Sequence, residues 1–264
     1  MLTDIHCHPY YLAGVFPQAE QERVHLSVIA AASACDMEEF CFCENLAKKN
    51  SCKSSALLPC FAVHPQQLIK ESGNRETEIL NFLASEKRIA AVGECGFDLY
   101  NAAFRETEAI QDRIFASHLE IAVKYELPVI LHVRRAMHKI FAFIKTLKKC
   151  KAVVFHSCPC TFEEGQALLR RGVNVYFSFG NIIINNHKQA RRSCALFPEE
   201  RLLTETDAPY QPRFKEKFSR WADLPLILET AFSLRREEGY KKSVKDFKDQ
   251  VESNFRKVFT LPVR

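Results

Sequence analysis

The chain has 264 residues, of which 47% are hydrophobic and 26% are charged, and this composition excludes an intrinsically disordered chain. No stretch approaches the roughly 18 consecutive apolar residues of a membrane span, and no basic segment followed by an apolar run opens the chain, so we expect a cytoplasmic protein without membrane association. The net charge of +5 permits a polyanionic partner without requiring one, and no feature indicates an obligate protein partner.

Eight apolar runs follow one another along the chain and predict strands. They cover residues 2–6, 26–33, 57–64, 89–96, 128–133, 152–157, 173–180 and 201–207. Apolar residues at three- and four-residue spacing predict helices over 36–49, 75–86, 106–126, 136–149, 161–172, 224–238 and 244–259. The alternation predicts an α/β fold, a (β/α)8 TIM barrel that spans residues 1–264 as a single domain. An open doubly wound sheet is the alternative.

Imidazoles and carboxylates recur at the ends of the predicted strands, where the catalytic groups of such a barrel collect. His6 and His8 end the first strand and, because they are two residues apart, point to the same face and can bind one ion together. The other strand ends carry His64, Glu94, His132, His156 and Asp207. These positions predict a metal site, whereas we expect ordinary core or surface roles for His25, His118, His138 and His187.

Three acidic residues belong to the same predicted site. Glu94 follows the apolar run IAAV, where an ionised carboxylate needs a positive partner. Asp207 follows RLLTET, and Glu205, two residues earlier, shares its direction. Because converging carboxylates repel one another, bound divalent ions are the simplest explanation. The alternatives are a buried salt bridge from Glu94 to Arg134 and a helix-capping role for Asp207.

The eleven cysteines are expected to be reduced thiols, since their number is odd and no secretion signal accompanies them. Cys41 and Cys43, like Cys158 and Cys160, are separated by one residue, whereas paired zinc ligands usually have a gap of two to four residues. We therefore expect these four thiols to be packing residues.

Five motifs occur in order along the chain: DIHCH, GECGFD, LPVILHVR, VVFHS and LLTETDAPY. Together they resemble the TatD family of metal-dependent DNases, within the amidohydrolase-like barrels, from Thr3 to about Phe259. The resemblance implies two divalent ions, which would be magnesium, manganese or zinc. It assigns one ion to His6, His8, Glu94 and Asp207, and the other to Glu94, His132 and His156, with Glu94 as the bridge.

The resemblance also implies that DNA phosphodiester bonds are hydrolysed by a metal-activated water, with a single strand or a 3' end as substrate, as in a 3'-5' exonuclease. Asp207 is then the proton acceptor, Glu205 orients the water or a ligand, and Glu94 completes the catalytic set. The chain departs from the family where Arg135 replaces an acidic residue after the fifth strand.

His64 and Arg134 are predicted to contact phosphate, because each ends or just passes a strand on the catalytic side of the barrel. Arg213 is a further candidate, because it belongs to the loop after the eighth strand, beside Asp207, and such loops often bind phosphate in this fold. Tyr210 and Phe214 are expected either to stack on a base or to pack against the rim. Two other functions remain open: hydrolysis of an amide, ester or lactone on the same barrel, and a metal-bound binding protein without catalysis.

Overall fold

The computed structural model describes residues 1–49, 55–68 and 74–260. In this part of the chain eight parallel strands form one sheet in the order of the sequence, each paired with the next. The strands are β1 (Leu2–Cys7), β2 (Val28–Ala34), β3 (Leu57–Phe61), β4 (Ala91–Asp98), β5 (Val129–Arg134), β6 (Val153–Phe155), β7 (Val175–Phe179) and β8 (Leu202–Thr204).

Hydrogen bonds between β1 and the residues that follow β8 close the sheet into a barrel. Asp207 N donates to His6 O at 2.9 Å, and His8 N donates to Ala208 O at 2.7 Å. The buried carboxylate of Asp4 accepts from Thr206 N at 3.0 Å and from Thr206 Oγ1 at 2.6 Å. This junction brings the end of β1 next to Asp207 and confirms the predicted TIM barrel over the open sheet.

Thirteen α-helices occur among the described residues, most of them between consecutive strands. They are α1 (Pro9–Val15), α2 (Ala19–His25), α3 (Met37–Lys49), α4 (Asn74–Ser85), α5 (Ala102–Glu106), α6 (Glu108–Lys124), α7 (Met137–Ala142), α8 (Ile144–Leu147), α9 (Phe162–Arg170), α10 (Asn181–Ile184), α11 (Lys188–Leu196), α12 (Leu224–Glu237) and α13 (Val244–Val258). None of these helices combines the length and the apolar character that crossing a bilayer requires.

Two layers of apolar side chains make up the core. One layer fills the barrel, where Ile5, Ile29 and Ile130 are fully buried, and the other lies between the strands and the surrounding helices. Helix α13 adds Phe255 and Val258 to the inner layer, so it covers the amino-terminal end of the barrel. The opposite end, at the carboxyl ends of the strands, is therefore the open one.

The eight predicted strands and most of the longer predicted helices are confirmed. The single helix predicted over 136–149 is wrong, because the segment divides into α7 and α8 around Phe143. The short helices α1, α2, α5, α10 and α11 were not predicted, since segments of four to nine residues carry little periodic signal. Cys43, Cys158 and Cys160 are buried as expected, but Cys41 is exposed on the outer face of α3 and is not a packing residue.

Candidate metal centre

Glu94 lies at the centre of a group of imidazoles at the open end of the barrel. Its Oε1 is 2.7 Å from His132 Nδ1 and 3.0 Å from His156 Nε2. The same oxygen is 3.3 Å from His64 Nε2, and Oε2 is 3.1 Å from His6 Nε2. One buried carboxylate thus faces side chains from four other parts of the barrel.

Asp207 faces the pair of histidines from β1. Its Oδ1 lies 3.4 Å from His6 Nε2 and 3.6 Å from His8 Nε2. The two Nε2 atoms are themselves 3.1 Å apart, so at most one of them carries a proton toward the other. Gln211 Nε2 donates to the second carboxylate oxygen of Asp207 at 2.7 Å, which fixes its orientation.

Further polar residues contact the ring nitrogens that point away from the centre in His6, His132 and His156. Ser33 Oγ is 3.0 Å from His6 Nδ1, and Asp98 Oδ2 is 3.1 Å from His132 Nε2. Glu205 Oε1 lies 3.6 Å from His156 Nδ1 and accepts from Ser157 N at 2.6 Å. Partners on the far ring nitrogen fix the orientation and basicity of a metal-ligating histidine, so this arrangement is typical of a metal centre.

The charges of the centre depend on one another. Burial opposes ionisation of Glu94 and of Asp207, but the surrounding histidines outweigh it and hold the pKa of each carboxyl well below its usual range. Burial likewise opposes charging of His6, yet Glu94 raises its pKa to about 9. His64 differs, because burial lowers its pKa despite Glu94. The carboxylates are therefore ionised and available as ligands at neutral pH.

Three sets of side chains place their ligand atoms within 4.8 Å of one another: His6, Glu94 and His156; His6, His8 and Asp207; and His64, Glu94 and His132. The described residues give Glu94 and Asp207 only imidazoles as cationic neighbours, with no lysine or arginine in an ion pair. This donor set of nitrogen and carboxylate oxygen fits zinc, manganese or iron, whereas magnesium prefers oxygen alone. A divalent ion fits the site.

The prediction that Glu94 and His132 end their strands is wrong. Strand β4 continues to Asp98 and β5 to Arg134, so both residues lie within paired strands, where the ladder holds their backbone. Gly96 of β4 pairs with His132 of β5, and a side chain at residue 96 would collide with the carbonyl of His132. The φ of Gly96, +137°, is one that glycine adopts readily. The extension also carries Asp98 to His132, a partner that the sequence analysis missed.

Both alternatives for the carboxylates are wrong. Arg134 makes no ion pair with Glu94; its guanidinium carbon instead lies 3.7 Å from the centre of the Tyr100 ring. No helix begins after Asp207, because residues 207–220 contain neither helix nor strand. Glu94 is buried among histidines and not beside an arginine, so the alternative of a structural salt bridge to Arg134 does not hold.

The centre opens into a cavity of about 1150 Å³. Arg134, Tyr210 and His187 line it, although His187 was expected to have an ordinary role; its ring also caps α11 by accepting from Ala190 N. Arg213 is not among the lining residues, and its Nε lies 2.9 Å from Asp223 Oδ1. Phe214 is 82% exposed, so it does not pack against the rim.

The basic residues of α11, which follows the seventh strand, face solvent or other elements. Arg192 pairs with Glu163 at 2.9 Å, where both side chains are about 60% exposed, and Arg191 donates to Ile183 O. Lys188 is exposed at the start of α11.

A closed barrel that gathers imidazoles and carboxylates at the carboxyl ends of its strands is the architecture of a metal-dependent hydrolase. Residues 3–260 match the family described as TatD related DNase, and the chain belongs to that family. It is 32% identical to a 3'-5' ssDNA/RNA exonuclease TatD of Shigella flexneri, over 72% of this chain and 72% of the relative. It is also 32% identical to the protein of that name from Erwinia billingiae, over 76% of each.

Solved structures agree on the fold. A TatD homologue from Escherichia coli K12 superposes with a TM-score of 0.85 at 24% identity, covering 99% of this chain and 98% of that one. A TatD family hydrolase from Entamoeba histolytica gives a TM-score of 0.81 at 17% identity, over 99% and 98% of the two chains. These structures show the TIM barrel, and the family match makes the chain a metal-dependent hydrolase of the TatD type.

Proposed function

We propose that this hydrolase cleaves the phosphodiester bonds of single-stranded nucleic acid, DNA in the first place, from the 3' end. The observation that carries the proposal is that the two oxygens of Glu94 face different imidazoles. Oε2 lies beside His6, and Oε1 lies beside His132 and His156. A carboxylate with both oxygens engaged in this way is suited to bridge two ions. The curated relatives named as 3'-5' ssDNA/RNA exonucleases support the substrate.

The metal ligands follow from the same contacts. His6, His8, Glu94 and Asp207 would hold one ion, and Glu94, His132 and His156 the other. His64, predicted to contact substrate, lies close enough to Glu94 to serve as an additional ligand of the second ion. When bound, the ions supply Lewis acidity for the phosphoryl oxygens and lower the pKa of water. The donor set favours zinc or manganese over magnesium.

Two acidic residues, Asp207 and Glu205, have different roles in this proposal. Asp207 is ionised, and Gln211 holds its carboxylate in a fixed orientation toward the histidines, where it would accept the proton. Glu205 keeps the amide of Ser157 and the ring of His156 in place, so it positions the centre and does not itself react. Arg213 is already paired with Asp223 and adds no contact to this proposal.

Substrate reaches the centre through the cavity, whose rim carries Tyr11 and Tyr210 beside His8. The two tyrosines are 39% and 46% exposed, and exposed aromatic rings bind single strands by stacking on bases. The described cysteines are all free thiols, which is consistent with a reducing compartment, and we place the protein in the cytoplasm as part of this proposal.

The test uses a single-stranded DNA labelled at its 5' end. We expect a ladder that shortens from the 3' end in manganese or zinc, and no products after chelation until a divalent ion is restored. An RNA strand and a panel of small amides, esters and lactones are compared at the same metal concentration. Hydrolysis of a small amide or lactone without any cleavage of the oligonucleotides would contradict the proposal.

A further inference from the structure

We propose that Arg134, Arg135 and Tyr100 form a second anion site of the cavity, which binds the phosphate of a nucleotide next to the one whose bond is cleaved. The ligand is a phosphodiester of the substrate strand, and to that extent the inference rests on the proposed function. The site is distinct from the metal ligands and carries no part of the chemistry.

Two guanidinium groups lie over one aromatic ring. The guanidinium carbon of Arg134 is 3.7 Å from the centre of the Tyr100 ring, and that of Arg135 is 4.6 Å from it. Both distances are within the range of a cation–π contact, and each guanidinium carries several N–H groups that can donate to phosphate oxygens. Both arginines line the cavity and both are exposed, so a ligand can reach those N–H groups.

The backbone holds this arrangement rigidly. Leu99 N donates to Arg134 O at 2.9 Å, which continues the pairing of β4 with β5 past the ends of the strands. Tyr100 N donates to Asp98 Oδ1 at 2.8 Å, and the other oxygen of Asp98 holds His132. One buried carboxylate therefore contacts both the backbone of Tyr100 and an imidazole of the metal centre, which links the two sites.

Within the described ranges neither Arg134 nor Arg135 has a carboxylate partner. Neighbouring cations do: Lys139 pairs with Glu108 and Asp112. Two cations held at one ring without an acidic partner repel each other, and a bound anion reduces that repulsion. Arg135 also has a φ of +56°, a left-handed conformation that asparagine and aspartate adopt more readily than arginine. The guanidinium is thus present at a position where the backbone favours a shorter side chain.

The spacing identifies which phosphate is bound. His132 and Arg134 are two residues apart on β5, which advances the backbone by roughly 7 Å toward the mouth of the cavity. A phosphate held by the arginines therefore lies beyond the one at the metal ligands and belongs to an adjacent nucleotide. Tyr11 and Tyr210 follow β1 and β8, on the side of the cavity mouth opposite β5. A bound single strand of nucleic acid would therefore cross the metal centre, with its bases stacked on the tyrosines and a phosphate at the arginines after β5.

The test compares Arg135→Asn with Arg171→Asn. Asparagine suits the left-handed backbone of residue 135, so loss of folding does not confuse the result. Arg171 is a matched control: it is exposed and lies over an aromatic ring, that of Phe141 at 5.5 Å, but it precedes β7 at the closed end of the barrel. Both changes are made in an Asp207→Asn chain, and binding of a fluorescent single-stranded DNA in manganese is measured by anisotropy over a range of salt concentrations.

We expect Arg135→Asn to weaken binding roughly tenfold and to lower the slope of log affinity against log salt by about 0.7, the value of one phosphate contact on a single strand. Arg171→Asn should match the parent chain. An oligonucleotide with one neutral methylphosphonate next to the 3'-terminal linkage should bind the parent chain as weakly as the Arg135→Asn chain binds the unmodified strand.

Equal affinities and slopes for the two variants, or equal losses in both, would overturn the second anion site. The proposed function is judged separately, by cleavage of the same strand with the natural Asp207. Cleavage without any effect of residue 135 removes the anion site and keeps the nuclease. Binding that depends on Arg135, in a protein that cleaves no oligonucleotide, keeps the anion site and removes the nuclease.

Discussion

The carboxylate of Asp98 holds the ring of His132, with Oδ2 3.1 Å from Nε2, while Nδ1 of the same ring is 2.7 Å from Glu94. Burial opposes ionisation of Asp98, but hydrogen bonds from His132, Gln66 and the amide of Tyr100 outweigh it and lower its pKa to about 2. Asp98 is therefore ionised at any working pH and orients His132 toward the metal centre. This contact gives the first prediction.

Asp98→Asn should weaken the binding of divalent ions by about 10- to 100-fold, which is the usual effect of removing the partner of a metal-ligating histidine. Competition with a fluorescent chelator measures the affinity. Excess manganese should restore most of the activity, because the ligands themselves remain. Unchanged metal affinity in this variant would show that Asp98 only supports the loop of Tyr100.

Glu94→Gln should lower hydrolysis of single-stranded DNA by roughly 10³-fold or more, since it removes the charge that both groups of imidazoles face. The shape of the side chain is kept, so circular dichroism should report a folded barrel. Elemental analysis should find less than one ion per chain. A variant that keeps two ions and full activity would remove Glu94 from the centre.

Glu205→Gln should have a smaller effect than Asp207→Asn. An amide oxygen at residue 205 still accepts from Ser157 N, and only the charge beside His156 is lost, so we expect about a tenfold loss of kcat. Asp207→Asn removes the proton acceptor and a ligand together, and should cost roughly 10³-fold. Single-turnover cleavage at saturating manganese measures both. The reverse order of effects would exchange the two roles.

His118 should make the protein sensitive to mild acid. It is fully buried in α6, and burial lowers its pKa from 6.5 to about 3. In the unfolded chain His118 binds a proton below about pH 6.5, whereas in the folded chain it binds one only below about pH 3. The free energy of unfolding therefore falls as the pH drops between these values. Relative to His118→Leu, the natural chain should lose about 2 kcal/mol between pH 7 and pH 5.

Urea unfolding of both chains at several pH values measures this difference. The metal-centre residues are shared by the two chains and cancel in the comparison. Parallel stability curves for the natural chain and His118→Leu would mean that His118 is not the titrating group.

The sequence predicts the barrel and the candidate ligands because both follow local rules. The eight apolar runs that form the strands can be recognised one after another in the sequence. His6 and His8 are two residues apart in a strand, so they share a face regardless of how the other strands are arranged. The family assignment from five motifs is confirmed by the match over residues 3–260. The ligand roles remain a prediction, supported by the convergence of the side chains on Glu94.

Contacts that depend on the register between paired strands could not be predicted from the sequence. The register that places Asp98 beside Arg134 also brings Asp98 to His132, and nothing in GECGFD shows how far β4 extends. The pairing of Arg213 with Asp223 depends in the same way on how the loop after β8 folds. Position near a strand end indicated which side chains gather around Glu94, but it did not indicate that Arg213 pairs with Asp223.

The proposed two-ion hydrolysis of nucleic acid depends on the carboxylate of Glu94, which contacts His6 through one oxygen and His132 through the other. The most direct measurement is elemental analysis of the purified protein, with 3'-end cleavage of single-stranded DNA assayed on the same sample before and after chelation. We expect two ions per chain, loss of cleavage when they are removed, and recovery when manganese or zinc returns. Undiminished cleavage by a metal-free sample would refute the two-ion mechanism.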